Sequence, residues 1–501
     1  MYNEISKMLI AIKNLNMNYN SRVLVLCFGL CLTLSLGVKS QTTLTLEEAL
    51  RIAQEKSLDI STSKLNLERS RKNLEAQNAA LKSNFSLRLN PLEFSRQRQF
   101  NETFAQWNTF EDTRTFGSFN VSQPIRMTDA TVTLINQLSW QNSSNSFQES
   151  SLKTYSNNVR IELNQPLFTY NRTKLQLKEL ELDLENTQIS YNIQSLELER
   201  NVTQSFYQVY QQQAGLQIAK EEYANQELGF EITKNKVDAD LLPKEELYQA
   251  ELNLATSRSS MNNQGVALEN AKDAFKQAIG ISLYENIEVS YDDTFKPVLV
   301  NMKFAINHGL EKRREIRQRK ISIEQSQFNL IRTNSLNEFR GDLSLSMGIF
   351  GDDPTFRNVY NSPTQSPRVS VSVIIPLWDW GEKKARLDAD RATVQTQEIA
   401  LDQERNNITR TIRETFRRVL NLETQVEIAA QNVKNAELTY EINLERYRNG
   451  DLTSLDLNQY QQQLSTKKSD LSNARTDYKL ELLNLKIQTL WDFEKNESLI
   501  P

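Results

Sequence analysis

Pro376-Leu377-Trp378-Asp379-Trp380-Gly381, followed by Lys384 and Leu387, restates Pro166-Leu167-Phe168-Thr169-Tyr170-Asn171, followed by Lys174 and Leu177, at a spacing of 210 residues. The same spacing pairs Arg200, Phe206 and Val209 with Arg410, Phe416 and Val419. It also pairs Ile218-Ala219 with Ile428-Ala429, Glu227-Leu228 with Glu437-Leu438, Glu231-Ile232 with Glu441-Ile442, and Gln249 and Leu254 with Gln459 and Leu464. Helical periodicity alone aligns apolar positions. It does not align Pro, Lys, Arg, Glu and Gln as well, so the chain is internally duplicated. Upstream, Ala49, Ile60, Lys64, Asn73 and Leu74 pair with Ala305, Ile316, Lys320, Asn329 and Leu330 at a spacing of 256. The step from 256 to 210 leaves 46 extra residues in the first half, between about Pro91 and Tyr155.

Around this repeat the sequence predicts one plan per half. An amphipathic helix comes first, from the Thr45/Glu48 capping box to about Ser83, and from about Asn301 to Asn337. Two strands follow. Phe85, Leu87 and Leu89 alternate with polar residues, as do Leu343, Leu345, Met347 and Ile349. The returning strands carry Val159, Ile161 and Leu163, and Val369, Val371 and Val373. Period-two alternation gives each strand one apolar and one polar face. Lengths of about seven to ten residues suit tilted strands crossing a bilayer. A soluble sandwich with the apolar face inward has the same pattern. Phe168, Tyr170, Trp378 and Trp380 then suit a membrane-interface girdle, or core packing.

Very long helices come next. Neither Gly nor Pro occurs between Pro166 and Gly215, or between Gly381 and Gly450. About 65 residues at helical rise span roughly 100 Å. Ile412, Phe416, Val419, Leu422, Val426, Ala429, Val433, Ala436 and Tyr440 recur at three- and four-residue steps, a coiled-coil seam in an otherwise polar helix. The turns are Asp238-Ala239-Asp240-Leu241-Leu242-Pro243 and Arg448-Asn449-Gly450-Asp451-Leu452-Thr453, with helices returning to about Ile279 and Trp491. Gly450 suits a left-handed helix stop and Pro243 the first turn of the next helix. In the 46-residue excess, residues 117–125 and 130–141 read as strands around a turn at Met127-Thr128-Asp129: an extra hairpin in the barrel wall or an extracellular excursion.

Composition fits an extended, wetted molecule: 39% of the 501 residues are hydrophobic, with 13 Gly and 10 Pro. Lys7, Lys13 and Arg22 lead into the apolar run 23–38. Val38 and Ser40 sit at −3 and −1 of a cleavage before Gln41, so residues 1–40 read as an export signal, with an uncleaved anchor as the alternative. Cys27 and Cys31 both lie in it, each preceded by Leu, which argues against a lipid anchor and leaves a cysteine-free mature chain. Beyond the signal, 55 basic and 62 acidic residues give a net charge of −7, which does not favour nucleic acid. His308, the only histidine, lacks the companions of a zinc site or a catalytic unit, so no cofactor, metal or reaction is expected.

Leu46-Glu47-Glu48-Ala49-Leu50 with Asp59-Ile60, then Pro376-Leu377-Trp378-Asp379-Trp380-Gly381, then Tyr447-Arg448-Asn449-Gly450 with Leu455-Asp456-Leu457, occur in the order of the TolC family of bacterial outer-membrane efflux channels. The chain resembles that family over residues 43–491. The resemblance implies a mainly α fold with a membrane β portion: long α-helical hairpins forming a periplasmic α-barrel, and strands contributing to a trimeric outer-membrane β-barrel. Residues 41–296 form the first structural repeat, with the extra hairpin at about 91–155, and residues 297–501 the second. A homotrimer set in outer-membrane lipid would meet a periplasmic adaptor and an inner-membrane transporter, in drug efflux or type I secretion, without catalysis. The tip turns Asp240, Leu241, Leu242, Gly450, Asp451 and Leu452 would touch the adaptor. Asp456 matches the acidic residue that rings the family's constriction; a solvated residue near a helix N-terminus is the alternative. Gln459 stands where a second acidic ring is found, and Leu452 where a gate-locking arginine is found. Tyr447 and Glu246 match the remaining lock residues and leave room for a hydrogen bond between them. The competing reading is a periplasmic coiled-coil adaptor or structural protein, but adaptors carry one helical hairpin, not two.

Overall fold

The computed structural model describes residues 42–146, 150–290 and 295–499; the export signal expected at residues 1–40, with both cysteines, lies outside them. The chain runs β1 (Thr42–Leu44), α1 (Leu46–Lys56), α2 (Leu58–Ala80), β2 (Asn84–Asn101), β3 (Gln106–Ile125), β4 (Ala130–Asn145), β5 (Ser150–Leu167), α3 (Arg172–Asp238), α4 (Lys244–Ile279) and β6 (Ile287–Val289). It continues with α5 (Met302–Lys312), α6 (Arg314–Asn334), β7 (Arg340–Asp353), a 3-10 turn (Phe356–Tyr360), β8 (Thr364–Gln365), β9 (Arg368–Ile374), α7 (Glu382–Asn449), α8 (Ser454–Thr489), β10 (Trp491–Asp492) and β11 (Glu497–Ser498). No helix among the described residues is long and apolar enough to cross a membrane.

The duplication is visible in the backbone. The Thr45 capping box forms as expected, satisfying two of the orphan donors of α1. The single long helix expected after it is instead two, in both halves. The break falls at Ser57 (φ −61°, ψ 131°) and at Arg313 (φ −62°, ψ 130°), equivalent positions in the 256-residue register. Each break residue donates its N–H back to the last turn, Ser57 to Ala53 O and Arg313 to Gly309 O. One residue leaves the helical region without losing that bond, and neither Gly nor Pro marks the place.

Compactness divides the chain into two units that cut across the repeats. The first comprises Met1–Ser57, Asn201–Phe295 and Glu427–Thr476. In it β1 pairs in parallel with β6, and α4 ends at Gly280 (φ 74°), where a Cβ would lie 2.8 Å from the Lys56 carbonyl. Its core includes Phe206 edge-to-face on Phe275, and a cluster of Ala436, Tyr440, Tyr447, Leu457 and Leu464. Along α7 the seam is a strict heptad: Ile412, Thr415, Val419, Leu422, Val426, Ala436, Tyr440, Asn443 and Tyr447 are buried at three- and four-residue steps, with half-buried Ala429 and Val433 completing the row; Thr415 takes the place expected for Phe416, which is only half-buried.

The second unit comprises Leu58–Arg200, Lys296–Val426 and Asp477–Pro501. Leu182 and Ile189 on α3 pack against Ile321 on α6. Beside them Arg317 grips both oxygens of Glu185 at 2.6 and 2.7 Å and reaches Glu324 at 2.7 Å. His308 is an ordinary helix residue, its Nδ1 2.7 Å from Thr489 O.

The same unit holds one antiparallel sheet in the order β2-β3-β4-β5-β7, with β8 and β9 both on the far side of β7. β8 and β9 keep one register against β7, so they form a single returning strand interrupted at Ser366-Pro367. The first half contributes four strands: the expected pair, and between them β3 and β4, which contain the strands expected at 117–125 and 130–141. The sheet corrects the expected lengths: strands β2 to β5 and β7 run for 14 to 20 residues, not seven to ten. In β4 and β5 the apolar alternation gives way mostly to Ser, Thr and Asn, which carry the hydrogen-bond ladder onward where no hydrophobic pattern is needed.

Candidate functional site

Each long hairpin turns through the same backbone device. Asp240 (φ 59°) and Gly450 (φ 91°) occupy equivalent left-handed positions at the ends of α3 and α7. The next residue donates back across the helix end, Leu241 N–H to Lys236 O at 2.8 Å and Asp451 N–H to Arg446 O at 2.9 Å. Glycine has no Cβ to clash there, and Asp is among the few side chains that tolerate the region. Pro243 sits just before α4 as its N-cap. Leu241, Asp240 and Asp451 are exposed, and Leu452 packs against the Tyr447 cluster. At the start of α8 the Thr453 hydroxyl accepts from Asp456 N–H (3.1 Å) and donates to the Asp456 carboxylate (2.7 Å). Asp456 remains partly exposed, and Gln459 is exposed.

Behind the turns three contacts tie the first hairpin to the second. Tyr447 is 1% exposed, and its hydroxyl shares a short hydrogen bond with the buried Thr233 hydroxyl on α3. Lys236 donates to the Tyr447 carbonyl and lies 4.8 Å from the centre of its ring. Glu246, in the first turn of α4, accepts from both the N–H and the hydroxyl of Ser454. The Tyr447–Glu246 hydrogen bond that the sequence left room for does not form. The phenol is turned into the helix pack toward Thr233, and Glu246 serves the free amides at the start of α8, where the helix dipole favours a carboxylate. Burial pushes the Tyr447 phenol above its ordinary pKa, so it stays a protonated donor. Thr233 and Lys236 were not found from the sequence. Lys236 had a usable signal, a cation in the last turn of a helix, but that reading points to its own helix and not to a partner hairpin.

The sheet end carries the expected aromatics. Phe168, Trp378 and Trp380 are exposed, Trp380 at 91%, and Tyr170 is half-buried. Trp378 and Trp380 stack edge-to-face at 5.8 Å, and Phe168 leans on Phe339 at 5.2 Å. Just beyond, Asp379 accepts N–H bonds from Gly381 and Lys383, which hold its carboxyl below the ordinary range and cap α7.

Residues 306–487 match the family model described as outer membrane efflux protein. Over that stretch the chain is similar to the family. No curated protein sequence matches it. Among solved structures it is similar to the Campylobacter jejuni CmeC outer membrane channel, at 14% identity over 91% of this chain and 87% of that one, with a TM-score of 0.67. It is similar to the Vibrio cholerae outer membrane protein VceC (13% identity, 89% and 95% covered, TM-score 0.66). The open state of the Neisseria gonorrhoeae MtrE outer membrane channel matches at 14% identity, 89% and 88% covered, TM-score 0.64. At such identities these likenesses establish the fold alone: long helical hairpins with an antiparallel β portion.

Proposed function

We propose that this chain is the outer-membrane channel subunit of a tripartite efflux or type I secretion assembly, exporting small molecules or proteins through a homotrimeric tunnel. The observation that carries the reading is the sheet. One face presents Phe85, Leu87, Ile161, Met347, Val369 and Val371, all exposed; a soluble sandwich would bury them and a lipid-embedded wall requires them outside. The two long hairpins would form the periplasmic part. The chain works as a conduit and binds no cofactor; the inner-membrane transporter supplies energy and selects the cargo. A periplasmic adaptor would read the tips at Asp240, Leu241, Leu242, Gly450, Asp451 and Leu452. Asp456 from three copies would ring the axis, with Gln459 beside it, while Tyr447 and Glu246 hold neighbouring hairpins closed. Phe168, Tyr170, Trp378 and Trp380 would sit at the lipid interface. Membrane fractionation with single-channel recording tests the assignment: an outer-membrane trimer that conducts is expected, and a soluble, non-conducting monomer would overturn it.

A further inference from the structure

We propose that the hairpin β3–β4 is a built-in widening of the membrane barrel. Each chain supplies six wall strands, and the free edge of β9 on one copy pairs antiparallel with the free edge of β2 on the next, Phe85 opposite Val373 and Leu89 opposite Val369. The inference rests on the channel reading above.

Three observations carry it. First, a lipid-facing row and the water-facing row beside it pass through the hairpin in step. Phe85 pairs with Val121, Val121 with Leu134, Leu134 with Ile161, and Ile161 with Met347: one apolar residue from each of five neighbouring strands. One residue away, Asn84, Ser122, Thr133, Glu162, Ser346 and Arg368 form an unbroken polar row over all six strand positions. An extracellular excursion has no reason to keep this alternation in step with a wall.

Second, the hairpin's turn is fastened at the helical end of the sheet. The Asp129 carboxylate accepts the N–H groups of Arg172 (3.3 Å) and Thr173 (3.1 Å) at the start of α3. Asn171 donates to the carbonyls of Arg126 and Met127, and Gln165 to that of Thr128. The second half has Asp379 as its own cap for α7; the equivalent place in the first half is Thr169, and the inserted turn supplies the acid. The hairpin therefore spans the same height as β5.

Third, the two open edges match. β9 is seven residues long, and β2 runs seven residues, 84–90, before its register breaks between Asn90 and Glu93. Both segments are exposed on almost every residue. Followed straight across the ladders, Asn84 arrives level with Arg368; full overlap of the two edges requires a slip of six residues per six strands. At about 3.3 Å per residue and about 4.8 Å per strand that slip gives a tilt of roughly 35°, within the range of membrane barrels. A slip of four lowers the tilt to roughly 25°. A slip of eight would set Arg368 and Val369 against Leu92 and Pro91, where the β2 ladder is broken. The six-strand count is even, so the alternation of directions closes. Three copies make 18 strands and a barrel about 34 Å across, against about 22 Å for the 12 that the duplication alone would give.

The test is disulfide mapping in the full chain, whose only cysteines are Cys27 and Cys31 in the export signal. Ser86→Cys with Ser372→Cys places two water-facing thiols opposite each other at the proposed seam. Oxidation should give a covalent trimer on a non-reducing gel. Ser86→Cys with Ser370→Cys, one step off register, should cross-link at least tenfold less. A cross-linked monomer, a preference for Ser370→Cys, or no cross-link in a conducting outer-membrane protein would overturn the seam while leaving the channel reading intact. Absence from the membrane would overturn both. Hairpin placement is read separately: Thr133→Cys should react with a membrane-impermeant maleimide and Leu134→Cys should resist it. Equal labelling would remove the hairpin from the wall.

Discussion

Tyr447→Phe isolates one contact between the hairpins. The substitution keeps the buried ring, its neighbours and the Lys236 bond, which goes to the backbone carbonyl, and deletes only the hydroxyl. Thr233 does not become an orphan, because its hydroxyl also donates to Gly229 O at 2.7 Å. The loss is therefore that of one neutral buried hydrogen bond, about 1 kcal/mol per chain. If opening parts the hairpins in all three copies together, the closed state loses about 3 kcal/mol and the open-to-closed ratio rises roughly a hundredfold; if the copies move independently, each gains about fivefold. Thr233→Val is the harsher change, since it leaves the phenol buried without a partner at a cost of about 1–3 kcal/mol. The double variant removes both hydroxyls and should cost less than the sum of the singles. Single-channel open probability in planar bilayers reads the gate, and thermal unfolding of each variant reads general damage. An open probability unchanged in Tyr447→Phe, or strictly additive single and double effects, would refute the claim that this pair holds the hairpins together.

Asp456→Asn preserves the Thr453 cap geometry but removes the charge, and reversal potentials in a salt gradient should show reduced cation preference; an unchanged potential would argue against an acidic ring. Gly450→Ala puts a Cβ into open space at φ 91°, so its cost, about 1–2 kcal/mol, is purely that of the left-handed backbone and should appear as a lower melting temperature. Asp240→Gly at the equivalent turn should be neutral or slightly stabilising by the same measurement. Arg317, bound through two nitrogens to Glu185, holds that carboxyl below the ordinary range. A folded pKa below the unfolded one means the stabilisation is complete above about pH 4.3 and fades as pH falls through the folded value. Glu185→Gln should therefore lower stability at neutral pH, by less than about 1 kcal/mol for a pair this exposed, and its melting curve should meet the wild-type curve in acid.

What was legible in the sequence follows from which physical constraints leave a residue-level trace. The helical hairpins were legible because a heptad seam such as Ile412 to Tyr447 must recur at three and four residues to stay on one side of a helix. The left-handed stop at Gly450 was legible because few residues tolerate it, and Asp240 less so because Asp has other uses. Strand lengths were not: past the lipid-facing band, the pairing of Ser143 with Asp112 or Asn145 with Phe110 needs only backbone groups, which every residue carries. The kinks at Ser57 and Arg313 were hidden for a similar reason, since a single extended residue needs no Gly or Pro. At the tips the participants Tyr447 and Glu246 were identified, but their partners were not. A hydrogen bond between hairpins depends on rotation of one helix against another, and Thr233, Lys236 and Ser454 are unexceptional in their own segments.

The duplication also explains where this chain could change. Between Pro166 and Leu254 the halves keep a gapless 210-residue register. In a helix packed through a heptad seam, one inserted residue rotates everything beyond it by about 100° and exposes the seam. In a meandering sheet a single added strand would reverse the direction of all that follow, but a pair restores it. The 46 extra residues match that pattern, since they account for β3 and β4 with their turns and for little else. Such an insertion is tolerated only if its turn fits the junction with the helices. Asp129, capping α3 from the inserted turn, meets that condition with the chain's own anchor. A strand pair so fastened leaves the direction of every later strand unchanged, and the helical hairpins keep the register that the repeat imposes.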